Sequence, residues 1–165
     1  MKWCEHEDGR VEVLGGRVLP EWIDFNDHMN VAYYVLAFDL VVDRLFDRVG
    51  LTADYRKRSG RSIFAAESHV IWQRELQLDD PLRYELHFLA FDDKRLHSLY
   101  RMYHAESGVL AASIEWMQLS VDLGTRRVVP WDAVVRPEVE SLCRRQAGFP
   151  PPPEVGRVIG VKRPA

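Results

Sequence analysis

The stretch "DFNDHMNVAYYVLAFDLVVDRLFDRV", residues 24–49, changes character once, at Asn30. Before that point Asp24, Asn26, Asp27, His28 and Asn30 crowd polar side chains into seven residues. After it, Val31, Tyr34, Val35, Phe38, Val41, Val42, Leu45, Phe46 and Val49 recur at i, i+3 and i+4, which predicts one long helix over residues 31–49. Asn30 suits the N-cap, because its side chain can accept from a free amide of the first turn, and Gly50 suits the C-terminal stop. The first two turns, Val31 to Phe38, carry no charge on any face and so belong in a core. Asp39, Asp43, Arg44, Asp47 and Arg48 give the later turns a wet side.

Working outward, residues 11–19 read as a short opening strand, bent at Gly15-Gly16. Beyond a basic loop (55–61) the period changes to alternation. Residues 62–76, 82–91, 94–105 and 109–122 read as four strands joined by the turn-rich segments "QLDDP", "FDDK" and "AESG", so successive strands are expected to pair as antiparallel hairpins. Strands this long curl as their twist accumulates. Pro137 to Gln146 reads as a short helix. The architecture expected is α+β: one domain over residues 1–148, in which a curved antiparallel meander wraps a buried helix, then a proline-rich extension over 149–165. An open sheet leaves edges to cover, which favours a homodimer or homotetramer joined edge to edge.

At 165 residues, 47% of them hydrophobic, the chain has material for one core. A net charge of −3 argues against a nucleic-acid binder. Cys4 and Cys143 cannot build a disulfide framework or a cysteine metal site, and the six histidines are dispersed, so no metal and no cofactor are expected. The N-terminus lacks an apolar signal core, and Val31 to Leu40 is far shorter than the ~20 residues of a membrane span. A reducing cytoplasm is the expected compartment.

The order of a short strand, a polar Asp24-x-Asn26-x-His28 turn, a buried helix and four long strands resembles the hotdog-fold thioesterases. The turn is similar to the Asp-Asn-His set of plant acyl-carrier-protein thioesterases. A nearer resemblance is to the betainyl-CoA thioesterase branch of the 4-hydroxybenzoyl-CoA thioesterase-like group. It is carried by residues 21–51, "FAAESHVIWQREL", "FDDKRLHSLYRMYH" and the closing "GRVIGVKRP". Asp27 departs from that pattern, where relatives often have glycine; aspartate tolerates the left-handed conformation the turn requires. The resemblance implies a homo-oligomeric hydrolase of small acyl-CoA thioesters.

Thioester hydrolysis needs a group that activates water or attacks directly, and a positive field at the carbonyl oxygen. The helix N-terminus offers such a field through the amides of Met29, Asn30 and Val31. Beside it, Asp24 is a candidate carboxylate, Asn26 a positioner of water or carbonyl, and His28 a water-orienting or proton-shuttling group. The plainer alternative is an Asx-turn that only ends a strand. Glu67, on a strand face with Ile63, Ala65, His69 and Ile71, is a second candidate base, and His69 could orient it. The downstream catalytic-site glutamate of the plant enzymes points to Glu67 as well, and either carboxylate could act as base or as nucleophile. Tyr33, Tyr34, Trp72 and Trp116 could hold a trimethylammonium head by cation–π attraction, or simply pack. Lys94, Arg95 and Arg101 could meet coenzyme A phosphates. A hydratase would carry its histidine five positions after the aspartate and a proline after the asparagine, and this chain has neither. A non-catalytic acyl-CoA binder is the rival from another class.

Overall fold

The helix expected from residues 31–49 is α1, Val31–Arg48, in the computed structural model, which describes residues 1–161. Asn30 caps it as expected, its Oδ1 accepting from the Ala32 amide at 3.0 Å, and Gly50 follows at φ +81°. The last residues of the proline-rich extension, 162–165, and with them the end of "GRVIGVKRP", lie outside the described residues.

Among the described residues, seven strands form one antiparallel sheet: β1 (Lys2–Glu5), β2 (Val11–Arg17), β3 (Arg61–Trp72), β4 (Pro81–Phe91), β5 (Arg95–His104), β6 (Leu110–Asp122) and β7 (Arg127–Val128). Their order is β1-β2-β4-β5-β6-β3, with β7 beside β6. The hairpin expectation holds for β4-β5-β6 and fails for β3, which pairs with β6 at the far edge. The reason lies in the link between β3 and β4. Residues 73–80 do not turn back as a hairpin; Val18 and Asp79–Asp80 exchange backbone hydrogen bonds that deliver β4 to β2 instead. The basic loop also needs correcting. It is a short helix, α2 (Ala53–Ser59), capped by the Thr52 hydroxyl and ended by Gly60 at φ +67°. The C-terminal helix, α3, spans Val135–Gln146.

Cross-strand register sorts the side chains into two faces. Val13, Tyr84, Leu86, Tyr100, Ile114 and Trp116 line the face that α1 covers, with the Phe38 ring edge-on to Tyr84 at 6.0 Å. Phe38 is fully buried and central to this core. Phe38→Ala is expected to cost about 3–5 kcal/mol, read as a lowered urea midpoint. On β3 an extra residue, Ala66, interrupts the register between Ala65 and Glu67. The bulge reverses the alternation: Ile63 pairs with Ser120 on the helix side, whereas Glu67, His69 and Ile71 pair with Met117, Glu115 and Ser113 on the outer side. The face shared by Ile63, Ala65, Glu67, His69 and Ile71 in the sequence reading is therefore split in two.

The outer face is polar and partly covered by the chain's own end. Beyond β2, the free edge of β4 is met by Gln146. Its side-chain oxygen accepts from Phe88 N (2.7 Å) and its amide donates to Leu86 O (3.0 Å), as a neighbouring strand would. After α3 the proline run crosses to the outer face, where Glu154 pairs with Arg101 at 2.6 Å and Gly156 N donates to Glu115 at 2.8 Å. Nearby, His87 together with Arg83 and Tyr103 holds the Glu85 carboxyl down at about 2. A carboxyl depressed in the fold contributes stability above its ordinary value of 4.5, and that contribution is lost as pH falls toward about 2. Glu85→Gln is expected to lower the urea midpoint at neutral pH and to flatten its decline between those two values.

Candidate active site

The sequence read residues 62–76 as one strand, but the sheet releases the chain at Trp72. Both Gln73 N and Arg74 N donate to Ala111 O, which turns the backbone off the sheet. The next residues close over the entrance of α1. Leu76 O accepts from Met29 N at 2.8 Å, and the Tyr34 hydroxyl accepts from Leu76 N at 3.0 Å. Burial first, and then the nearby Glu75 charge, push the Tyr34 hydroxyl up, so it stays protonated. The polar turn is thus held between the helix it caps and the end of β3.

Within the turn, Asp24 is the hub. Its Oδ1 accepts from Asn26 N (2.8 Å) and its Oδ2 from Asn30 Nδ2 (3.2 Å), while the His28 ring nitrogen Nδ1 stands 3.9 Å from Oδ1. Asp27 takes φ +61°, the left-handed conformation expected of it. Asn30 therefore does two things: its oxygen caps the helix and its amide orients the carboxylate. The second role goes beyond the sequence reading, which gives Asn30 a side-chain cap and a backbone donor only. The expected donors also change. Met29 N is used by Leu76 O and Asn30 N by Trp22 O, which leaves Val31 N as the amide of the three without a hydrogen bond among the described residues. Asn26 contributes its backbone to the Asp24 network rather than its side chain.

The turn opens onto a pocket of about 190 Å³ lined by His28, Val31, Tyr34, Trp72, Arg74 and Glu75. Trp72 is half exposed there, at 47%. Other candidates fall elsewhere. Tyr33 stacks on Trp22, their ring centroids 5.9 Å apart, and Trp116 is buried in the core, so neither forms a cage with Trp72. Glu67 is exposed rather than set among apolar neighbours. Together with His69 it lines a separate pocket on the outer face, beside His97, Glu115 and the tail. Lys94 and Arg95 flank a cleft at the β4–β5 turn, where Arg95 is paired with Asp92 at 2.6 Å. Arg101 does not join them, being half-buried against Glu154 on the outer face. No group of three or more His, Cys, Asp and Glu among the described residues is arranged to hold a metal ion.

Residues 18–139, which carry the turn, α1 and β3 to β6, match the thioesterase-like superfamily. The chain belongs to that superfamily. A betainyl-CoA thioesterase of Pseudomonas aeruginosa is 37% identical over 144 residues, covering 87% of this chain and 91% of that protein. A bifunctional L-carnitine dehydrogenase/betainyl-CoA thioesterase of Rhizobium meliloti is 30% identical, over 94% of this chain and 31% of its own length. Among solved structures, a Staphylococcus aureus protein in complex with CoA superposes with a TM-score of 0.84 at 28% identity, covering 92% of this chain and 94% of its own. In this fold Asp24 and Glu67 stand apart within one chain. The sheet separates them, because the Ala66 bulge aims Glu67 away from the helix.

Proposed function

We propose that this protein hydrolyses a small acyl-CoA thioester whose acyl group carries a trimethylammonium head, with betainyl-CoA as the substrate. The observation that carries the chemistry is the Asp24 carboxylate, held by Asn26 N and Asn30 Nδ2 in the turn whose His28, 3.9 Å away, lines the pocket with Val31, the residue whose amide has no hydrogen bond among the described residues. The betainyl assignment is supported by the 37% identical relative and by the half-exposed Trp72 indole in the same pocket.

In this mechanism the thioester carbonyl oxygen lies against Val31 N–H and the positive end of α1. Asp24 accepts a proton from water as the oxygen of that water bonds to the carbonyl carbon. His28 steadies the water at the pocket mouth. Collapse of the tetrahedral intermediate breaks the C–S bond, and the sulfur leaves as free coenzyme A with the proton that Asp24 took from water, which restores the carboxylate. In the alternative course Asp24 bonds to the carbonyl carbon first, and the C–S bond breaks to release coenzyme A as the thiolate, which takes a proton from solvent. Water then cleaves the mixed anhydride to give the free acid and Asp24. A single turnover in ¹⁸O-water distinguishes them where water opens the anhydride at the Asp24 carbon: the label then stays on Asp24, whereas the general-base route puts it in the product acid.

The pocket lies beside the exposed edge of β3, which has a partner on one side only. A second copy paired along β3 would shelter the pocket from water, and the working protein is proposed to be a homodimer or homotetramer joined there. The lysine and arginine pair at the β4–β5 turn is the proposed contact for coenzyme A phosphates. The deciding experiment offers the purified protein betainyl-CoA and a panel of uncharged acyl-CoAs while free thiol is recorded. Tight binding with no thiol release from any of them would show a binding protein instead of an enzyme.

A further inference from the structure

The pocket at the α1 entrance contains a carboxylate that the hydrolytic chemistry does not use. Glu75 follows the point where the chain leaves β3, in the segment that closes over the helix, and it lines the pocket with Trp72 and His28. Among the described residues it makes no hydrogen bond and no ion pair. The neighbouring carboxylates are engaged: Asp24 with Asn26 N and Asn30 Nδ2, and Asp80 with Gln77 N and His104. Arg74, next in sequence, turns its guanidinium to Gln73 O at 2.9 Å instead of to Glu75. The Glu75 charge lies near enough to Tyr34 to add to the burial that pushes the Tyr34 hydroxyl up.

A free carboxylate, an exposed indole face and an apolar wall from Val31 form a combination suited to one class of ligand. A quaternary ammonium cannot donate a hydrogen bond, so it is recognised by an aromatic face and a nearby negative charge with no donor geometry to satisfy. A neutral acyl group of equal size gains only the apolar contacts. We infer that Glu75 and Trp72 together form a cation subsite, with Glu75 the residue that selects a cationic acyl group over a neutral one. The inference rests on the thioesterase reading above and deepens it, by naming what distinguishes the substrate. In that subsite the ammonium methyl groups lie on the Trp72 ring and the Glu75 carboxylate supplies the counter-charge from the rim. Asp24, with both oxygens already held, is left to the carbonyl end.

The test compares betainyl-CoA with 3,3-dimethylbutyryl-CoA, in which carbon replaces the quaternary nitrogen and shape is retained while charge is lost. The readout is the ratio of their kcat/KM values. The parent protein is expected to favour the cation, and to favour it less as salt is raised. Glu75→Gln is expected to lower the ratio by about twofold to fivefold, the range of one exposed charge interaction. Glu75→Lys is expected to push it further in the same direction, with Trp72→Ala lowering it independently. Equal losses on both substrates in Glu75→Gln, leaving the ratio where it was, would overturn the assignment of Glu75 while hydrolysis stands. A parent with no preference for the cation would overturn the subsite and the betainyl assignment together. A parent that hydrolyses other acyl-CoAs but neither of these would overturn the subsite, and one that hydrolyses no acyl-CoA at all would remove the thioesterase reading on which the inference rests.

Discussion

Asp24→Asn is expected to lower kcat/KM for the best acyl-CoA substrate by about 10²–10⁴-fold, the usual worth of a positioned general base. The substitution keeps the shape of the side chain and an oxygen that can accept from Asn26 N, so the turn and its cap should survive. The negative charge goes, and with it the capacity to take a proton from water. A circular dichroism melt within a few degrees of the parent's, alongside the lost activity, would place the effect in the chemistry. Glu67→Gln is the informative contrast. Glu67 lies across the sheet from the Asp24 turn, in a different pocket, so its loss is expected to leave kcat/KM within a small factor of the parent value. The reverse pattern, with Glu67 essential and Asp24 dispensable, would move the site to the outer face and overturn the mechanism.

Asn30→Ala is expected to fail in two separable ways. Loss of the cap on Ala32 N should destabilise the protein by about 1 kcal/mol. Loss of the amide that holds Asp24 Oδ2 removes a hydrogen bond to a charged group, so kcat should fall by roughly tenfold to a hundredfold. Asn30→Ser separates the two. Serine is a good N-cap, so stability should return, but a serine that caps the helix cannot also reach the Asp24 carboxylate. Activity is expected to stay low in that variant. Stability and activity recovering together in Asn30→Ser would show that Asn30 acts on the reaction only through the helix.

Much of this protein was legible in its periodicities. The apolar spacing from Val31 to Val49 predicted α1, and the Asn30 cap and the Gly50 stop are both present. The alternation in residues 82–91 predicted β4 to within a residue. What was misread has a common cause. Periodicity reports which face of an element is buried, but a strand's partner is chosen by the rest of the molecule. Thus β3 was placed beside β4, although its neighbour is β6. The small elements β1, β7 and α2 carry too few residues to show a period at all.

The candidate site divides in the same way. Sequence by itself determined that a polar turn with Asp24, Asn26 and His28 caps a buried helix, because capping and amphipathic spacing are local properties of the chain. Tertiary structure decided which of those groups work together and which do not. The Ala66 bulge sent Glu67 to the other face, because a single unpaired residue reverses every side chain that follows it. Residues 73–76, read as the end of a strand, leave the sheet to occupy the Met29 amide and bring Glu75 to the pocket. Asn30 became the residue that orients Asp24 only once the turn had closed and brought two side chains six positions apart to 3.2 Å. Those outcomes depend on backbone hydrogen bonds made between distant segments, and no local pattern in the chain encodes them.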